Sequence, residues 1–167
     1  MRPPCRSTGF TLVEAVFVLA IMAIILSVAA PNYSQYHQRQ QLLAAAETLT
    51  TELRNARELS VSSATPIYVN YRAGTPWCWG VSRGQPCDCA GLSPLPRCSI
   101  SQSDASQFPD VTLDDGQNQM FSPRLGQATL TGSASLRTRK GQNLRVVLNP
   151  MGRVSICGPD APGGKPC

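Results

Sequence analysis

The stretch Gly9-Phe10-Thr11-Leu12-Val13-Glu14, together with the apolar run it opens, constrains this chain more than any other part of it. From Phe10 to Ala30 the sequence carries one charge, Glu14. At about 1.5 Å of rise per residue, a helix of that length crosses a hydrocarbon core of about 30 Å. Ahead of it lie nine residues, MRPPCRSTG, with Arg2 and Arg6 and no acid. A short basic head before an apolar span reads as cytoplasmic, which places the rest of the chain across the membrane.

A secretory signal is cut after its apolar region, near small residues. Val28-Ala29-Ala30 offers such a site, but Pro31 follows it directly. Gly9 instead precedes the apolar run, where a protease needing close backbone access favours a residue without a side chain. A cut there removes the basic head and leaves the apolar segment on the mature protein as an assembly element. Glu14 fits that reading. A carboxylate inside a spanning helix costs about 2.5–3.5 kcal/mol, so it generally has a partner. Cleavage after Gly9 exposes an α-amino group on Phe10, and in a stack of subunits that amine meets the Glu14 of a neighbour. Such a pair adds little net stability, yet it specifies register, because other alignments leave a charge unpaired. The plainer alternative is a membrane anchor whose Glu14 reaches up to the interface. Cut site, acid spacing and apolar length together favour assembly.

The sequence GFTLVE, followed by an apolar helix and Pro31, resembles the type IV prepilin signature shared by pilins, minor pilins and type II secretion pseudopilins. The resemblance implies cleavage between Gly9 and Phe10 by the inner-membrane prepilin peptidase, with N-methylation of Phe10. It also implies that Glu14 is the family's acidic assembly residue, and that Pro31 is the proline closing its membrane segment. Expected partners are the peptidase, other pilins in a filament, and the inner membrane. The motif covers only the first fifth of the chain.

Without leader and anchor, enough chain remains for one modest domain. Of the seven cysteines, Cys5 leaves with the leader; Cys78, Cys87, Cys89, Cys98, Cys157 and Cys167 all lie beyond the apolar run. An even set of this size predicts disulfides formed in an oxidising periplasm, in one of fifteen pairings. Zinc fits poorly, since C-x-C lacks the usual chelate spacing and His37, the only histidine, lies far off in the sequence. Because pilins recurrently carry a disulfide-bounded loop near the C-terminus, the resemblance favours a Cys157–Cys167 pair.

Beyond Pro31, Leu42, Ala46, Leu49, Leu53 and Ala56 recur at helical spacing on one stripe. Arg39, Glu47, Glu52, Arg54 and Glu58 fall mostly off it and read as solvated. Pro31 removes a backbone donor and is expected to bend or loosen the helix, which should end near Ser60–Ala64. From Pro66 the period changes to two. Ile67, Val69 and Tyr71 alternate with Tyr68, Asn70 and Arg72, and Trp77, Trp79 and Val81 repeat the same spacing in the next run. Further strands are expected at 111–113, 119–122, 128–131, 135–139, 144–148 and 153–157, punctuated by Gly and Pro as in an antiparallel sheet or sandwich. The segment 84–106, rich in Pro, Ser, Gly and Cys, reads as a long surface loop held by cross-links. Asp114-Asp115-Gly116 reads as a turn rather than a metal site. With no histidine in the β-rich part, no phosphate loop and no nucleophile motif, the chain reads as a non-enzyme that needs no cofactor.

The helix LLAAAETLTTELRNARELSVSSATP, with Leu49, Leu53, Ala56 and Arg57 in an LxxxLxxAR pattern, and the late run NPMGRV resemble the FimT/GspH group. That resemblance implies an α+β fold in which a long transmembrane and filament-core helix packs on an antiparallel β-sandwich. The expected divisions are a leader at 1–9, a membrane or filament-core helix at 10–30, a continuing amphipathic helix at 31–62, and a periplasmic β-rich domain at 63–167. The implied function is that of a FimT-like minor pilin. The alternative is a GspH-like minor pseudopilin of type II secretion.

Charge separates along the chain. From Gly116 to Cys167 seven basic residues face one acid, whereas Asn32 to Asp115 holds six basic residues and eight acids. A segregated positive patch is the footprint of a polyanion binder. Some FimT-like pilins bind DNA during natural transformation through a Gly-Arg-x-Arg element; this chain reads Gly152-Arg153-Val154-Ser155, with serine in place of the second arginine. Arg137, Arg139, Lys140, Arg145 and Arg153 are accordingly the candidate contacts to duplex DNA. Arg137 and Arg139 are expected on one strand face and Lys140 in the turn after it, with all contacts made to phosphate.

Overall fold

The computed structural model describes residues 11–164, 166 and 167, and within its first helix the side chains of 28–32 lie outside the description. The expected cleavage and methylation pair, Gly9 and Phe10, lies outside the described residues, as does the side chain of Pro31. The chain divides into two compact units, one ending at His37 and one comprising Gln38–Cys167.

One helix, α1, runs Leu12–Ser62. At its start Thr11 and Glu14 have the S/T-x-x-E spacing of a capping box, and the Glu14 N–H donates to Thr11 Oγ1 at 3.3 Å. Its first part is apolar and open: Leu12, Phe17, Leu19, Ile24 and Leu26 are each more than 60% exposed. Among the described residues no helix is long and apolar enough to cross a membrane; the described side chains of the expected span stop at Ser27.

The second unit is built around the rest of the helix. Leu42, Ala45, Ala46, Leu49, Leu53 and Ala56 are at most 2% exposed, one apolar stripe buried from end to end. The helix finishes at Ser62, within the expected range, and the β1 strand begins at Ile67. Around this stripe lie two antiparallel sheets. The first has the order β3 (Ser101–Asp104), β2 (Cys78–Arg83), β1 (Ile67–Arg72), β5 (Gln119–Phe121), β6 (Ala128–Leu130). The second has the order β4 (Val111–Gly116), β7 (Gly132–Thr138), β8 (Asn143–Leu148), β9 (Val154–Cys157). Helix and sheets share one core, in which Ile67, Val69, Trp79, Val81, Leu113, Phe121, Leu136 and Val146 meet the helical stripe. This is the α+β fold of a long N-terminal helix packed on antiparallel sheets.

Four local expectations are corrected. The segment 84–106 is not all loop, because Ser101–Asp104 forms the edge strand β3, paired with β2 from Cys78↔Asp104 to Val81↔Ser101. Its sequence, SQSD, offers no apolar alternation to read. Asp114-Asp115-Gly116 is not a turn but the end of β4. The register passes from Leu113↔Leu136 to Asp115↔Ser135, leaving Asp114 as the extra residue of a bulge. Arg139 lies beyond β7, in the turn leading to β8. Strand β2 also departs from half-buried alternation, since Cys78 through Ser82 are all buried. The core covers one face, and the cross-linked segment after β2 covers the other, where Cys98 sits against Gly80.

Candidate functional site

The six cysteines form Cys78–Cys89, Cys87–Cys98 and Cys157–Cys167. The first two interlock, so that the segment after β2 is fastened twice. Inside it the Asp88 carboxylate accepts from the backbone N–H groups of Ala90, Leu92 and Ser93 at 2.8, 2.7 and 2.6 Å. The Ser93 hydroxyl and these N–H groups hold that carboxyl well below its ordinary range. The third disulfide closes the loop after β9. Among the described residues no group of three or more His, Cys, Asp or Glu side chains is arranged to hold a metal.

Glu52 is not a solvated helix charge. It is half-buried where α1 meets the first sheet, and its two oxygens accept from Trp79 Nε1 at 2.7 Å and Ser103 Oγ at 3.2 Å. Burial raises its carboxyl above the ordinary value, while the hydrogen bonds from Trp79, Ser103 and Ser101 pull the other way. Trp79 in turn stacks on Trp77, with ring centroids 5.2 Å apart. Glu52 therefore fixes the helix register against β2 and β3. The sequence pattern places it off the apolar stripe and says nothing of these partners.

The five candidate DNA contacts do not form one site. Arg137, on the outer face of β7, is held by the bulged Asp114, with Nε to Oδ2 at 2.9 Å and Nη2 to Oδ1 at 3.1 Å. That pair is solvent-exposed, worth about 0–1 kcal/mol, but it cancels the charge locally. Arg139 and Lys140 project from the turn between β7 and β8, both exposed. Arg145 stands on the outer face of β8, donating to Ser135 Oγ at 3.2 Å. Arg153 sits in the turn between β8 and β9, at the opposite end of β8.

There Arg153 meets residues that the sequence places in the acidic half of the chain. An open groove of about 750 Å³ is lined by Thr50, Arg54, Arg57 and Glu58 of α1 and by Gly152 to Ile156. Thr50, Arg54 and Arg57 share a helix face by their spacing of four and three. Arg57 is held in place, its Nε donating to the Gly126 carbonyl at 3.0 Å. Gly152, at φ 75°, comes so close that an added Cβ would lie 2.5 Å from the Gly126 carbonyl oxygen and 2.8 Å from Arg57 Nε. The glycine of the Gly152-Arg153 element thus serves a close approach to the helix as well as a turn. The helical spacing of Thr50, Arg54 and Arg57 is visible in the sequence, but not the strand edge that lies opposite.

Comparison with known proteins agrees with this architecture at both ends. Residues 5–30 match the prokaryotic N-terminal methylation motif. Two curated Pseudomonas aeruginosa proteins named "Fimbrial protein" are each 37% identical over 73 residues, 40% of this chain and 47% of theirs. The chain thus spans about half the length of those relatives. Two crystal structures of the P. aeruginosa type IV minor pilin FimU share the fold, with TM-scores of 0.53 and 0.51 at 16% identity. They cover 75% and 72% of this chain, and it covers 95% of each of them. The chain thus begins with the N-terminal methylation motif and shares the helix-and-sheet fold of those minor pilins.

Proposed function

We propose that the protein is a minor pilin, cut before Phe10, anchored in the inner membrane through the apolar part of α1, and assembled into or at the tip of a type IV pilus. The exposure of Leu12, Phe17, Leu19, Ile24 and Leu26, in a chain whose remaining helical stripe is fully buried, carries this reading. So much open apolar surface needs lipid or other subunits to cover it. The role is structural, with Glu14 setting register and the disulfide-fastened domain displayed outward. The likeness in sequence to curated fimbrial proteins and in fold to a solved minor pilin supports the pilus reading. Deleting the gene and counting surface pili by electron microscopy tests this. The expected result is a loss of pili restored by the wild-type gene and not by Glu14→Lys. Normal piliation with blocked protein secretion would instead make it a GspH-like pseudopilin.

A narrower reading concerns DNA. Arg139 and Lys140 are exposed and have no carboxylate partner among the described residues, which favours weak phosphate contact at the β7–β8 turn, flanked by Arg145. Binding there would be independent of sequence, and log K would fall with log salt by about 0.9 per phosphate neutralised. Replacing Arg139 and Lys140 with glutamine should abolish micromolar binding of random duplex DNA measured by anisotropy. Unchanged binding would remove the turn as the contact.

A further inference from the structure

We propose that the groove between α1 and the edge of β9 is a strand-addition site that takes an extended acidic segment of another polypeptide. Strand β9 is the outermost strand of its sheet, paired only with β8. At the hairpin the Asn149 N–H donates to the Arg153 carbonyl at 3.1 Å. Hydrogen-bonded pairs alternate from there, through Val147↔Ser155 and Arg145↔Cys157. Val154 and Ile156 fall at the intervening positions, so their N–H and C=O groups point away from β8, into the groove. An open edge with unpaired backbone groups is a template for another strand.

The groove also carries its own selectivity. Arg54, Arg57 and Arg153 line it against the single acid Glu58. Arg57 spends one donor on Gly126 and keeps its terminal nitrogens for a ligand. Thr50 lies at the floor, only 6% exposed, and its hydroxyl has no hydrogen-bond partner. A strand seated about 4.8 Å from β9 would pair with Val154 and Ile156 and turn alternate side chains to one face, where carboxylates meet the guanidinium groups. A nucleic acid backbone would use the arginines but leave the N–H and C=O row of β9 unmatched, so the edge favours a peptide.

The test is an NMR titration of the oxidised Gln38–Cys167 unit, which holds its own core and all three disulfides, with the capped peptide Asp-Val-Thr-Val-Asp-Val. The proposal expects shifts centred on the Val154 and Ile156 amides, slowed exchange of those amides with solvent, and no response to a Lys-for-Asp peptide. Alternate N-methylation of the peptide, which removes its donors, should abolish the shifts. The paired substitution Arg54→Gln with Arg153→Gln, on exposed side chains, should weaken binding at least fivefold. Ile156→Pro, which removes an outward donor while leaving the β8 pairing, should do likewise. Shifts spread over the surface, equal binding of the N-methylated peptide, or a response to duplex DNA alone would each overturn it. None of these outcomes depends on whether the chain assembles into pili.

Discussion

The two parts of α1 solve the same problem in opposite ways. Between Leu42 and Ala56 the apolar side chains form a stripe, and both sheets of the same chain bury it. Between Leu12 and Leu26 apolar side chains stand all around the helix, and the described residues of the chain leave them open. A stripe signals a partner on one side, whereas an all-round apolar surface needs lipid or a bundle. The second part therefore governs the stability of the domain, and the first governs what surrounds the protein. Each substitution that follows should act on one part and spare the other.

The largest contrast should come from paired truncations. Leu49→Ala removes a fully buried side chain and should cost about 2–5 kcal/mol in urea unfolding of the domain. Leu19→Ala, on an exposed side chain, should leave that transition unmoved. Equal destabilisation by both would end the distinction. Next comes the fastened segment. Replacing Cys87 and Cys98 with serine opens a link across a sequence separation of 11 and should cost about 2–3 kcal/mol in the same assay. Gly152→Ala sharpens the view that the second part of α1 is gripped by the β8–β9 turn. Its positive φ and the approach to Gly126 and Arg57 predict a loss of about 1–2 kcal/mol, with Arg57 displaced from the groove.

The smallest effect is electrostatic. Glu52 has its carboxyl raised by burial, so the folded domain holds that proton more tightly than the unfolded chain does. Its contribution should decline as pH rises from about the ordinary value of 4.5 through the folded value, and then level off. Glu52→Gln should flatten that decline in stability curves taken at successive pH values. Asp88 and Asp104, whose carboxyls are lowered by hydrogen bonds, work in the other sense: they stabilise above 3.8, and that stability is lost in acid. A Glu52→Gln curve parallel to wild type throughout would show that the carboxylate is not desolvated.

Much of this was readable because period is a local property. Leu42 to Ala56 announces its face every third or fourth residue, and Ile67 to Tyr71 every second, so helix and strand follow without tertiary information. Strand β3 escapes because Ser101–Asp104 has nothing apolar; it exists through its pairing with β2 and through Ser103 reaching Glu52. The basic residues mislead for a related reason. Counting charge along the chain groups Arg137 with Arg153, but the bulge in β4 gives Arg137 to Asp114, and the β8–β9 turn gives Arg153 to Arg54 and Arg57. Charges about a hundred positions apart in sequence become neighbours only through sheet order, which no run of residues spells out.

The open apolar part of α1 is most directly examined by shearing surface filaments from cells that express the protein and sequencing its N-terminus there by mass spectrometry. A minor pilin should be found in that fraction beginning at N-methylated Phe10. Protein found only in the cell body, with residues 1–9 still attached, would contradict both the cut and the assembly.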